Sequence, residues 1–159
     1  MLTNFFVLLI SSIGGILAGY LLALIAPEEL EYGKPYFVIF QNITFSLFAL
    51  TAVYYFAPGY ILPIIAAFVI FGLGYFFNVT KLFYLPAGAV FFFISESNIL
   101  LLAGLMFFLT GVGASSYEAT KFVKNEKIKN KLKLFKSIFK YYSWTLLFGI
   151  LPFLISYAK

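Results

Sequence analysis

"FFVLLISSIGGILAGYLLALIA" (Phe5–Ala26) carries no charged side chain over 22 residues. About 20 apolar residues are what an α-helix needs to cross the hydrocarbon core of a bilayer. Lipid offers no water to the backbone, so such a segment must satisfy its own amides as a helix. No Lys or Arg precedes the run, and Pro27 follows Ala26 where a signal peptide would be cut. We therefore expect a retained span. Within it Ser11, Gly15, Gly19 and Ala23 recur every fourth residue, with Gly15 and Gly19 forming a literal GxxxG. Small residues at that spacing let two helices approach closely where packing drives association. A contact inside the bundle is the expected use, and a homo-oligomer or foreign subunit is the alternative.

The same reading extends along the chain. Of 159 residues, 63% are hydrophobic, 22 are Phe and only 11% are charged, and the mean hydropathy is +1.00. A soluble domain of this size has no core large enough for that much apolar surface. Further apolar segments follow at 36–57, 61–77, 82–94, 99–113 and 144–158. The expected fold is an all-α integral membrane protein, a six-helix transmembrane bundle forming one domain. Between spans one and two, "APEELEYGKPYF" (Ala26–Phe37) reads as a solvated turn, with Pro27 ending the first helix and Gly33 and Pro35 making a bend.

Several chemistries are excluded by composition. The chain has no Cys, His, Asp or Arg. Disulfides, thiolate nucleophiles and the usual zinc, haem or copper ligands are missing. So are a histidine base and the Ser-His-Asp arrangement. Phosphate can be met only by Lys point charges. We expect no cofactor, no metal and no specific nucleic acid.

Charge sets the expected topology. Eight of the eleven basic residues lie between Lys121 and Lys140, in "KFVKNEKIKNKLKLFKSIFK". Lys-rich short loops stay on the cytoplasmic side. With six spans, Lys34, Lys81 and this cluster share one face, and only Lys159 falls opposite. That predicts a multi-pass protein of the cell membrane with both termini on the non-cytoplasmic side. Ile128, Leu132, Phe135, Phe139 and Tyr142 keep helical spacing, and Lys129, Lys133, Lys136 and Lys140 repeat it one residue along. Ser115-x-x-Glu118 has capping-box form. The segment 116–140 is thus expected to be a basic amphipathic interfacial helix between spans five and six. The four lysines are candidate contacts to anionic lipid or an acidic partner, at about 1 kcal/mol each.

Polar residues inside apolar segments are the remaining candidates. Gln41 and Asn42 sit in span two, with Ser46 four residues past Asn42. Glu96 follows a fourth span of only 13 residues, about 20 Å of helix. Either that helix tilts, or spans four and five form a re-entrant hairpin with Glu96 near its tip. An intramembrane carboxylate is a functional candidate.

The expected function is a non-enzymatic subunit or accessory scaffold of a membrane complex, docking other membrane subunits, acidic partners or anionic lipid through the basic helix. The alternative is a small oligomeric transporter or channel using Glu96 and the Gln41/Asn42 face. An intramembrane lipid enzyme ranks last, because Glu28, Glu29 and Glu31 would have to supply all acid–base and metal chemistry.

Overall fold

The structure is a computed structural model of the whole chain. It describes residues 2–77, 98–124, 127–128 and 130–140, together with Ala87, Val90, Ile94 and Ser143. Helices α1 (Leu2–Ile25), α2 (Pro27–Phe56), α3 (Ile61–Phe77) and α4 (Leu100–Thr120) are followed by a two-residue antiparallel bridge. Its strands are β1 (Val123–Lys124) and β2 (Lys127–Ile128), with Val123 opposite Ile128. A further helix, α5, covers residues 131–140. Three helices are long and apolar enough to cross a membrane, at Phe6–Ile25, Pro27–Phe56 and Leu100–Thr120, and α3 is a shorter apolar helix. Apart from Ala87, Val90 and Ile94, the segments 82–94 and 144–158 lie outside the described residues. Ala87 and Ile94 are fully buried in the core.

The helices do not pack in chain order. α4 packs most extensively on α1 and then on α2, α2 packs on α3, and α1 barely touches α2. Close approaches fix the directions. Leu8 and Ser11 meet Gly104, Gly15 meets Phe108 and Gly19 meets Ser115, so α1 and α4 run parallel. Gly113 meets Gln41, and Phe107 meets Phe48 with ring centroids 5.1 Å apart, so α2 and α4 run antiparallel. The Pro58–Tyr60 turn returns α3 antiparallel along α2. The spatial order is therefore α1, α4, α2, α3. The described end of α3 and the start of α4 lie at opposite ends of the bundle.

The central position of α4 follows from its sequence. Ala103, Gly104, Phe107, Thr110, Gly111, Ala114, Ser115, Glu118 and Ala119 are all buried. They repeat at helical spacing, mostly as small residues, and form a groove that accepts the Gly15 and Gly19 backbone of α1. Gly113 and Ser116 open a second narrow face to α2. The outward faces are apolar and bare: Ile10, Ile25, Phe68, Phe76 and Leu101 are each more than 60% exposed. Side chains of this kind suit acyl chains and not water.

Three local expectations are corrected. The turn expected over Ala26–Phe37 is the first part of α2, and Ala26 alone joins α1 to α2. Pro27 occupies the first helical turn, where its missing N–H costs nothing, and Glu28 and Glu29 complement the helix dipole there. Pro35 lies inside the helix. At 30 residues α2 is about 45 Å long, so its charged first turns reach past the hydrocarbon. Secondly, Ser115 and Glu118 are not a capping box: α4 continues through both, and the Ser115 hydroxyl donates back to the Gly111 carbonyl at 2.7 Å. Thirdly, the segment 116–140 is not one helix. It comprises the last turn of α4, the short bridge and α5. Asn130 starts α5 as its N-cap, its Oδ1 accepting from the Lys133 amide at 2.9 Å.

Candidate functional site

Every charged residue among those described lies at one end of the bundle. There α1 ends, α2 begins and α4 ends, with the bridge and α5 close by. Among the described residues, the opposite end, at Pro58–Tyr60 and residues 98–99, carries no charge. Lys81, Glu96 and Lys129 lie outside the described residues.

Glu118 organises the charged end. Its side chain is 8% exposed, and Oε2 accepts from Lys121 Nζ at 2.7 Å. Oε1 accepts from the Ser137 hydroxyl at 3.1 Å, which ties α4 to α5 across 19 residues of sequence. Lys121 Nζ also lies 5.3 Å from the Tyr117 ring centroid. A buried carboxylate needs such donors, since an ionised group out of water is costly unless paired and hydrogen-bonded. Composition gave no signal for this residue, because its burial depends on how α5 folds back.

On α5 the sequence divides the circumference into three parts, with about 100° between successive residues. Leu134 and Ile138 are buried against the bundle and Ser137 is half-buried. Leu132, Phe135 and Phe139 form a second, exposed apolar sector. Lys133, Lys136 and Lys140 form a third, also exposed, and Lys131 is exposed outside it. The Tyr20 ring of α1 stands edge-on to Phe135 at 5.6 Å, with its hydroxyl 3.5 Å from the Lys131 carbonyl. Of the apolar stripe read from the sequence, Leu132, Phe135 and Phe139 make the exposed sector, and the side held by the bundle is a different one. Leu134 and Ile138 pack, and Leu132 and Phe139 face out.

The remaining sequence candidates are dispersed. Gly15, Gly19 and Ala23 lie buried at the α1–α4 contact, with Ser11 half-buried beside Gly104. Gln41 and Asn42 are buried mid-bundle. Asn42 Nδ2 donates to the Val38 carbonyl at 2.7 Å, and the Ser46 hydroxyl to the Asn42 carbonyl at 2.7 Å. Thr110 donates to Thr44 Oγ1 at 3.0 Å, linking α4 to α2. Most of these groups therefore bond to the preceding turn of their own helix. The Asn42 Oδ1 atom is buried without a partner. Among the described residues no group of three His, Cys, Asp or Glu side chains can hold a metal ion.

Fold and charge together define a helical membrane protein with one strongly charged end. Comparisons with protein families, with curated proteins and with solved structures give no match.

Proposed function

We propose that the chain is a non-catalytic membrane subunit or accessory scaffold that docks through its basic end, with α5 lying along the bilayer surface. The observation that carries this reading is the three-way division of α5. One sector is anchored on the bundle, and the two exposed sectors are apolar and cationic, which is how a helix at the headgroup boundary meets acyl chains below and phosphates above. In this orientation the basic end is cytoplasmic, in keeping with the positive-inside tendency. Six spans with external termini account for α3 ending and α4 starting at opposite ends. The bilayer and an anionic lipid surface or acidic partner are the ligands this end suits, and other membrane subunits or a second copy have the bare apolar flanks available. A small transporter is the second reading, favoured by the unpartnered Asn42 Oδ1 alone.

The test uses the full chain in nanodiscs containing phosphatidylglycerol, phosphatidylethanolamine and phosphatidylcholine. With Lys133, Lys136 and Lys140 all changed to Gln, retained phosphatidylglycerol is expected to fall several-fold by mass spectrometry. The wild-type preference should also weaken as salt rises. Equal retention by both proteins at low salt would remove the basis of the proposal.

A further inference from the structure

Tyrosines stand at two levels of the bundle. Tyr36 of α2 is 72% exposed. The pairs Gly113–Gln41, Thr110–Thr44 and Phe107–Phe48 fix the register of α4 against α2, which puts Tyr117 level with Phe37. On α1, Gly19 lies against Val112 and Ser115, which puts Tyr20 within about a turn of Tyr117. The Tyr20 hydroxyl meets the Lys131 carbonyl, so α5 starts at this level too. At the other end Tyr54, Tyr55 and Tyr60 are exposed, and the Tyr54 and Tyr60 rings stack at 6.2 Å. We infer that these are two interfacial belts, and that they fit the chain to a bilayer whose hydrocarbon is about 25–27 Å thick, thinner than the average of about 30 Å. That fit rests on the spanning arrangement proposed above and specifies the bilayer it suits.

Helix geometry sets the thickness. From Tyr36 to Tyr54 α2 rises about 27 Å, and a tilt of about 20° brings that to about 25 Å. Tyrosine is amphipathic, and its ring settles at the headgroup level, so the hydrocarbon lies between the two belts. Two further observations put the boundary there. Among the described residues, the exposed side chains of α1, α2 and α4 between the belts are apolar, as at Ile10, Leu17, Ile43, Leu47, Leu101 and Leu105. Gln41, Asn42, Thr44 and Thr110 lie at the same depths and are buried. Charge begins immediately outside: Lys34 is the first charged residue beyond Tyr36, and Glu118 is next to Tyr117. On α3 the Tyr75 ring stacks on Phe71 at 6.0 Å. It stands about 22 Å along the helix from Tyr60, just inside the inner belt. A hydrocarbon about 33 Å thick needs about four more residues of α2. Shared between the two ends, that extension reaches Lys34, whose charge resists burial.

The full chain in phosphatidylcholine vesicles with hydrocarbon thicknesses of about 22, 27 and 33 Å provides the test. The thermal unfolding midpoint is expected to peak in the middle set and to fall by several degrees in the thickest. Depth is read independently from spin labels on single cysteines, since the chain has none of its own. Oxygen and a water-soluble nickel chelate serve as the relaxing agents. In the middle set, labels at Ile43→Cys and Leu47→Cys should be deepest, one at Ile39→Cys shallower and one at Tyr32→Cys in water. Tyr36→Leu together with Tyr54→Leu should keep the fold, because both rings are exposed, and should flatten the dependence on thickness. A midpoint that climbs steadily to the thickest bilayer would overturn the inference. So would a Tyr32 label within hydrocarbon, or an optimum unchanged in the tyrosine variant. None of these measurements involves phosphatidylglycerol, so they and the lipid test of the α5 lysines stand or fall separately.

Discussion

Replacing Gly15 and Gly19 together by leucine is expected to abolish the folded, monodisperse chain. A Cβ on Gly15 would overlap the Phe108 carbonyl, and one on Gly19 would overlap the Val112 carbonyl and the Ser115 hydroxyl. From the facing helix, a Cβ on Gly111 would come within 3.0 Å of the Ile16 nitrogen. The obstructing atoms are mostly backbone, so no rotamer change relieves them and the helices must separate. Overpacking a tight contact by even small groups costs about 1–3 kcal/mol. Two leucines exceed what a marginally stable bundle can absorb. The loss is not recovered elsewhere, because lipid is as apolar as the faces it would cover. Gly72 is the control. Nothing lies within 4 Å of a Cβ built there, so Gly72→Ala should be neutral or gain up to about 1 kcal/mol of helix propensity. Size-exclusion profiles and thermal unfolding in detergent separate the outcomes. A stable Gly15/Gly19 double variant would mean that α1 does not pack on α4 as described.

Glu118→Ala is expected to release α5 from the bundle without unfolding α1–α4. The substitution removes the acceptor for Ser137 and the anion facing Lys121. Hydrogen bonds to a charged group contribute about 1.5–3 kcal/mol. The Lys121 side chain is 42% exposed, so solvent screening discounts its part heavily and the lower figure is the better guide. Hydrogen exchange across residues 131–140 should then accelerate roughly tenfold, while Ala103–Ala114 keeps its protection. Ser137→Ala alone should give a smaller effect, and the double variant should be no worse than Glu118→Ala, since the residues share one interaction. Unchanged exchange in α5 would show that Leu134 and Ile138 suffice to hold it.

Much of the path of the chain is legible in sequence, because lipid imposes length and apolarity on any segment that crosses it. The apolar windows at 5–26, 36–57, 61–77 and 99–113 mark the cores of α1 to α4. They are silent on where a helix goes once it leaves the hydrocarbon. α2 begins at Pro27 and α4 ends at Thr120 because charged and small residues are compatible with helix outside the membrane, where no hydropathy signal remains. The Ser115 and Glu118 spacing pointed to a helix start that tertiary packing overrides, and the Asn130 cap of α5 emerges only in the structure. The buried side of α5 could not be read from pattern. Acyl chains and a protein core are equally apolar, so Leu134 and Ile138 look like Leu132 and Phe139 until the bundle is present. Glu118 escaped for the complementary reason, since its burial is created by a partner 19 residues away.

The chain contains no cysteine, so single-cysteine labelling gives the most direct test of its orientation. Gly59→Cys stands in the exposed turn between α2 and α3, and Lys133→Cys on the exposed cationic sector of α5. A membrane-impermeant maleimide applied to intact cells should label the first and not the second, and inside-out vesicles should reverse the result. Labelling of both positions from the same side would contradict a bundle that carries its charge at one membrane face.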